Sequence, residues 1–545
     1  ALNEAGGLLR VNVRMGHPED VAHAAWQMAW AHEAGLEVLL TVVGSPPGVR
    51  LGAGNGAGAT GGRPAANELA EWASAVLAMI GDLRRHTGQL PDYLEVWNEP
   101  DRPEFFEGDL DDYLAIYGEL APRVRAAWPT IRIGGMGLAG AESTLGGQDS
   151  ALFALIDHAA RNGLPLDFLS WHNYGLGASL RYSRIAERLR SALANRGLDA
   201  ELIVSEWNLR ATPAVRGWEF DGSAAAANLV AFLSCAISQG IDHNVFFMLY
   251  DDGAGSEDLS GLGVGALTVH GVKKPVWRTM ELVYPMAEEH GCAVVLPPDE
   301  YALSALASWN GRRARLVVAN DAVEPDWVWT RGCRELGLEP GVTAGQVAAA
   351  GGSPSAPPTR AALIAQGLAA AEADAVLALL DRVAEAAELM ERPRRIRLEL
   401  EGATGIRLLR AWRFDSVHNN PAAHREELRP WLDQAERNAQ AAADQAATDR
   451  VVELGGTVPP GTRWTGSLAD LAARLGLSLE QAGEVAALWR NTLRQQRLAA
   501  ADLLDTLPGA SLEELPPATA GVRIDGAGLE LELEPNGVIV LDLGP

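Results

Sequence analysis

From Leu8 to about residue 290, short apolar runs rich in Val, Leu and Ile alternate with longer stretches of amphipathic helical spacing. Strands buried on both faces read as near-continuous apolar runs, and parallel strands need a helix-sized crossover between them, so this rhythm predicts parallel βα units. The strands read from the sequence are Leu8 to Val13, Leu36 to Val42, Tyr93 to Trp97, Ile131 to Gly134, Asp167 to Trp171, Leu202 to Ser205 and Asn244 to Leu249. A closed barrel of this kind takes eight strands. Ala1 to Gly7 reads as the tail of a helix, so the expected α/β fold is a (β/α)8-type TIM barrel whose first strand is missing.

At 545 residues the chain exceeds what one core holds, because single cores stop growing near 250–300 residues. After residue 290 the pattern changes to short alternating strands with turns between them, which predicts an antiparallel β-sandwich. The expected organisation is a catalytic barrel over 1–290, a sandwich built from 291–339, 394–421 and 511–545, and helical insertions at 340–393 and 422–510. The insertions are rich in Ala, Leu, Glu and Arg at helical spacing and read as a bundle, with a homo-oligomer contact as their second use.

The formal net charge is -26, which sets the chain as a whole against a polyphosphate surface and excludes nucleic acid as the expected partner. No apolar run approaches the roughly 20 residues of a membrane span. No signal segment opens the chain, although a leader upstream of the helix tail stays open; cytoplasm is favoured over secretion. Cys235, Cys292 and Cys333 are too far apart to suggest a metal knot or redox pair. The run from Gly52 to Gly62 lacks the Gly-Lys-Ser/Thr ending of a phosphate loop, and no H-E-x-x-H is present, so neither metal nor cofactor is expected.

In a βα-barrel the C-terminal ends of the strands face a shared pocket. Val96-Trp97-Asn98-Glu99-Pro100 closes one strand and Ser205-Glu206-Trp207-Asn208 closes another, each pairing a glutamate with a tryptophan. A lone carboxyl there equally suits an N-cap. Two in equivalent places, with aromatic faces suited to a sugar ring, point to glycosidic bond cleavage, which needs one carboxyl as acid and one carboxylate opposite it. The chemistry requires one of the two glutamates to hold a proton while the other is ionised, and Arg10 or Arg14 is the candidate cation beside the ionised one.

These motifs resemble those of the glycoside hydrolase clan with catalytic glutamates on strands four and seven, and within it family 39, which contains β-xylosidases, α-L-iduronidases and bacterial exopolysaccharide hydrolases. Arg413-Phe414-Asp415-Ser416-Val417-His418-Asn419-Asn420-Pro421 resembles a stretch of the xylosidase branch. The resemblance implies Glu99 as acid/base, Glu206 as nucleophile, retention of configuration, and a carbohydrate substrate of the neutral β-xyloside type. It further implies Asn98 as a donor to a sugar hydroxyl and His172 and Tyr174, from Trp171-His172-Asn173-Tyr174, as the pair that shapes the sugar subsite. Trp207 is expected in the same pocket; Arg14 and His17 match a substrate-binding loop loosely. After the last strand Tyr250 stands where relatives place a tryptophan platform, with Asp251 in reach of a hydroxyl. A sugar-binding or structural relative without turnover, and a transglycosylase, are the competing readings.

Overall fold

The computed structural model describes residues 7–545 apart from 16–17, 46–62, 141–150, 176–184, 210–219, 252–262, 293, 297–301, 322, 354, 402–404, 466, 517–518 and 526–527. His17 and the Gly52 to Gly62 run therefore lie outside the described residues. Two compact units are present: Ala1–Trp218, Cys235–Lys273 and His424–Ala510 make the first, and Glu219–Ser234, Lys274–Ala423 and Ser511–Pro545 the second.

In the first unit β1 (Leu8–Arg14), β2 (Glu37–Val43), β3 (Tyr93–Val96), β4 (Arg132–Leu138), β5 (Phe168–Tyr174), β6 (Glu201–Asn208) and β7 (His243–Phe246) form one parallel sheet in chain order. Helices α1 (Pro18–Glu33), α2 (Leu69–Thr87), α3 (Leu110–Ala127), α4 (Ala151–Asn162) and α5 (Ile185–Ala194) alternate with the strands, as the two periodicities predict, and α6 (Ser223–Gln239), most of which groups with the second unit, lies between β6 and β7 in the chain. From Val38 to Val43 every residue of β2 is buried, the mark of a strand covered on both faces, whereas β7 is half-buried along its length. β1 and β7 are the two edges of this nearly closed, TIM-like barrel, and the first of eight strands is not among those described. The observed β5 and β6 run three residues beyond their predicted ends, and those extra residues carry much of the site.

Leu39, Tyr93, Phe168 and Ile203, with Leu8 against them, fill the lower interior of the barrel. Side chains two residues further along a strand share its face, which sets Arg10, Thr41, Glu95 and Ser170 one step above this apolar floor. A polar layer rests on a dry one. The turn that follows β3 leads into α3, whose start is fixed by Asp109 accepting from the Asp112 amide at 3.0 Å while Asp112 accepts from the Asp109 amide at 3.1 Å.

After the Glu219–Ser234 segment, the second unit continues with α7 (Pro275–Val283) and the short β8 (His290–Gly291), followed by β9 (Leu303–Trp309) and β10 (Ala314–Asn320). Helices α8 (Pro325–Glu335), α9 (Pro340–Ala349), α10 (Arg360–Ala365) and α11 (Ala370–Leu389) come next, packed around Val347, Leu363, Val376 and Leu380. Strands β11 (Arg394–Glu399), β12 (Arg407–Phe414), β13 (Val522–Asp525), β14 (Gly528–Leu533) and β15 (Gly537–Gly544) complete two antiparallel sheets, ordered β12-β15-β10-β9-β8 and β11-β14-β13. Both sheets contribute to one apolar cluster that includes Leu316, Ile396, Leu531 and Ile539. The stretch after β12 is a tight turn: Asp415 accepts from the amides of Val417 at 2.9 Å and His418 at 2.8 Å. Burial raises the pKa of Asp415, but these amides outweigh it and hold the carboxyl below its ordinary range.

Between β12 and β13 lie α12 (Arg425–Glu453), α13 (Leu468–Leu475), α14 (Leu479–Leu498) and α15 (Ala501–Leu504), and these group with the barrel unit. Ala439, Ala443 and Ala447 on α12 form a ridge of small side chains that lets α14 approach closely through Val485, Ala486 and Trp489. At the other end of α12, Leu428 and Leu432 pack with Val272, Leu504 and Ala510. Among the described residues no helix is long and apolar enough to cross a membrane.

Candidate active site

Beyond β3 the chain turns sharply, with Trp97 at φ 72° and Glu99 at φ 45°, both in the left-handed region that non-glycine residues seldom adopt. Such backbone persists only where its surroundings hold it. Here the Trp97 amide donates to Val42 O at 3.0 Å, the Glu99 amide to Gly137 O at 2.8 Å, and the Trp97 indole to Phe105 O at 3.0 Å. The Glu99 carboxyl is thereby fixed over the strand ends.

Glu206 reaches the same place by a different device. Along β6 the pairing with β5 runs Ser170 to Ile203 and Trp171 to Val204, then skips Ser205 and resumes at His172 to Glu206. A bulge of one residue moves every later side chain to the other face. Without it Ser205 would face the barrel interior; with it Glu206 does. The same alternation carries Trp207 out of the pocket, where it is fully buried, donates to Asn244 Oδ1 at 3.0 Å and stacks edge-on against Phe246 at 5.0 Å. The expected role of Trp207 in the sugar pocket is corrected by this register.

Four strands, β1, β3, β5 and β6, converge on the two carboxyls. His172 Nδ1 lies 2.8 Å from Glu99 Oε1 and 3.4 Å from Glu206 Oε2. The Tyr174 hydroxyl donates to Glu206 Oε2 at 2.6 Å. Burial, together with the neighbouring Glu206, pushes the Tyr174 hydroxyl far above its ordinary pKa and keeps it a donor. Arg10 of β1 donates through Nη1 to Glu206 Oε1, through Nη2 to Asn98 Oδ1 at 2.7 Å, and through Nε to Glu95 Oε2 at 2.8 Å. Arg14 is held elsewhere by Asp20, at 2.6 Å. Of the two arginines weighed as the cation beside Glu206, Arg10 takes the position.

One oxygen of Glu99, one of Glu206 and a ring nitrogen of His172 lie within 4.8 Å of one another. These three are donor types that suit a metal ion, but their atoms already face Arg10, Tyr174 and each other, an arrangement matched to proton transfer and nucleophilic attack. Asn98 is half-buried, and beyond its bond to Arg10 its amide nitrogen makes no hydrogen bond among the described residues.

At the rim, Tyr250 is half-buried beside the segment that returns through Leu267. Asp251 is buried and accepts from the Gly265 amide at 2.7 Å, so one of its oxygens anchors a loop. Two residues escaped the sequence reading. Glu95, inside the four-residue β3, looks like an ordinary alternation residue until Arg10 is placed next to it. Arg494 of α14 brings its guanidinium 5.0 Å from the centre of the Tyr250 ring, a cation-π contact from a helix that no barrel motif announces.

Residues 89–205 match the family described as Glycosyl hydrolases family 39, a stretch that includes Glu99 and stops one residue short of Glu206. A beta-xylosidase of Caldicellulosiruptor saccharolyticus is 25% identical over 249 residues, covering 42% of this chain and 48% of that protein, so the chain spans about half the length of the curated relative it matches. Among solved structures, a monomeric beta-xylosidase from Caulobacter crescentus CB15 superposes with TM-score 0.53 at 15% identity, over 99% of this chain and 90% of that one. The GH39 enzyme from Xanthomonas axonopodis pv. citri superposes with TM-score 0.50 at 15% identity, over 100% and 94%. At such identities these structures speak to the fold. The matched stretch around Glu99 and the curated relative make this chain similar to glycosyl hydrolase family 39, and the solved structures share its fold.

Proposed function

We propose that this chain is a retaining glycosidase acting on a β-xyloside-like or related neutral glycoside. The observation that carries the reading is the approach of Glu99 and Glu206, with oxygens within 4.8 Å, at the ends of β3 and β6. Retaining enzymes hold their two carboxyl groups about 5–5.5 Å apart, whereas inverting enzymes leave about 6.5–9.5 Å for a water. The approach of these two suits the shorter separation. Glu206 then attacks the anomeric carbon as Glu99 gives its proton to the leaving oxygen, forming a glycosyl ester on Glu206. In the second step Glu99 takes a proton from water, which attacks the same carbon and frees Glu206.

The neighbours suit these roles. Arg10 and Tyr174 aim two donors at the Glu206 carboxylate and hold it towards the pocket, while His172 sits within reach of Glu99. The amide nitrogen of Asn98, without a hydrogen bond among the described residues, is the donor for a sugar hydroxyl beside the attacked carbon. Tyr250 offers a ring face at the rim. The beta-xylosidase relative supports a pentoside as the first sugar to try.

The test is hydrolysis of aryl glycosides of xylose, arabinose, glucose and galactose, followed by trapping with the 2-deoxy-2-fluoro derivative of whichever is cleaved. A covalent sugar on Glu206, found by peptide mass analysis, is the expected result. Labelling of any other residue, or full activity in Glu206→Ala, overturns the assignment.

A further inference from the structure

Glu95 is a fully buried acid that the two-step reaction does not use. It lies one layer below the strand-end glutamates and is held through Oε2, while Oε1 has no hydrogen bond among the described residues. Arg10 donates to its Oε2 through both Nε and Nη2, and Thr41 Oγ1 donates to the same oxygen at 2.8 Å. The Ser170 hydroxyl and the His172 ring also face it. Gly137, at φ +59°, passes so close that an added Cβ would meet the carboxyl carbon at 3.1 Å. Burial pushes Glu95 towards protonation, but the charge of Arg10, followed by His172 and the Ser170 hydroxyl, outweighs it and holds the pKa below its ordinary value.

A barrel that had only to steady Glu206 would need Arg10 and nothing more. Burying a second carboxylate is costly unless it is paired, and this one competes with Glu206 for the same guanidinium. Glu95, Arg10 and ionised Glu206 together carry one net negative charge. Once Glu206 is esterified, Glu95 and Arg10 balance. The buried set is thus neutral in the glycosyl-enzyme and charged in the free enzyme.

Resting on the reading of Glu206 as nucleophile, we infer that Glu95 is a positioning residue that cancels the charge of Arg10, so that Arg10 orients Glu206 without holding back its attack. The other groups facing this set are Asn98, Glu99, His172 and Tyr174, none of which touches Glu95 through a hydrogen bond while Arg10 spans both acids. Without the charge of Glu95, Arg10 would stabilise the Glu206 carboxylate. Forming the ester, which consumes that charge, would slow; breaking the ester with water, which restores it, would quicken. A loosened structure would slow both.

The two steps can be read separately. Inactivation by a 2,4-dinitrophenyl 2-deoxy-2-fluoroglycoside of the sugar found above measures ester formation, and recovery of the trapped enzyme in buffer measures its hydrolysis. In Glu95→Gln, inactivation should slow about tenfold while reactivation speeds severalfold, and the acid limb of kcat/KM should move to lower pH by about one unit. Parallel slowing of both steps, or no change in either, overturns the inference and leaves the nucleophile assignment standing. Absence of label on Glu206 in the wild type overturns both. Should Glu95→Gln fail to fold, Glu95→Asp lengthens the ion pair and is read instead, with opposed changes of about two- to threefold expected; parallel or absent changes there count equally against the inference.

Discussion

Arg10 in the barrel unit and Arg315 in the second unit both bury their guanidinium groups, and they are matched differently. In the second unit Arg315 makes a two-pronged pair with Asp542, Nε to Oδ1 at 2.7 Å and Nη2 to Oδ2 at 3.0 Å, and gives its remaining nitrogen to Leu282 O at 2.9 Å. Each nitrogen of this guanidinium is used and it meets a single carboxylate, which also accepts from Arg313 at 3.2 Å. In the barrel, Arg10 is shared by two carboxylates and an amide. In the second unit Arg315 serves one carboxylate, whereas in the barrel one guanidinium is divided between two, which leaves one negative charge at the strand ends. Excess buried charge is expensive, and its place at the strand ends of a barrel is where chemistry repays it.

The largest effect expected from this contrast is on turnover. Glu206→Ala should lower kcat on an aryl glycoside on the order of 10^4-fold, with thermal unfolding at or above the wild-type midpoint, since the variant removes the unbalanced charge. A fall in melting temperature that tracks the loss of activity would make Glu206 structural, like Asp542. Glu99→Ala should cost about 10²–10⁴-fold on a substrate with a poor leaving group. With a dinitrophenyl leaving group, which departs without a proton, ester formation should largely recover. Equal loss on both substrates would remove Glu99 from the acid role.

The opposite pattern is expected in the second unit. Asp542→Ala strands the buried Arg315 and should lower unfolding stability by about 3–5 kcal/mol, read by denaturant titration. Turnover per folded molecule should hold. Tyr174→Phe lies between the two cases, because it takes one hydroxyl donor from Glu206 and leaves the ring in place. A bond to a charged group is worth about 1.5–3 kcal/mol, so kcat/KM should fall by that much while stability moves little. A stability loss equal to the kinetic one would place Tyr174 with the packing residues.

How far this contrast could be read in advance depended on the period of each element. The barrel followed from runs such as Val38 to Val43, and the glutamates from their positions at strand ends. His172 and Tyr174, two apart on one strand, share a face, and both reach Glu206. Glu206 and Trp207 are neighbours in a strand and cannot both face the pocket, yet which one does depends on a bulge at Ser205 that no local residue preference announces. Glu95 was hidden for another reason. Its partner Arg10 stands 85 positions away, and only the closing of the sheet brings them together. The helical segment after β12 shows the same limit: its amphipathic spacing predicts helices, but not that Arg494 ends over Tyr250.

The smallest expected effect concerns a third cluster, with the charge ratio inverted. Glu436 of α12 accepts two bonds from Arg497, each at 2.7 Å, and lies 3.1 Å from His270 Nε2, so two donors serve one carboxylate. The hydrogen bond to His270 and those to Arg497 overcome partial burial and pull the carboxyl from 4.5 down to about 2. A carboxyl whose pKa falls on folding adds stability that is fully present above its unfolded value and is lost as pH drops through the folded one. The window is therefore pH 4.5 down to about 2. Because the pair is partly open to solvent, screening reduces its worth to about 1 kcal/mol. Glu436→Gln should lose about that much stability at neutral pH, and the gap to the wild type should close as the pH falls through the window. A gap that stays constant to pH 2 would show that Glu436 holds α12 by shape and not by charge.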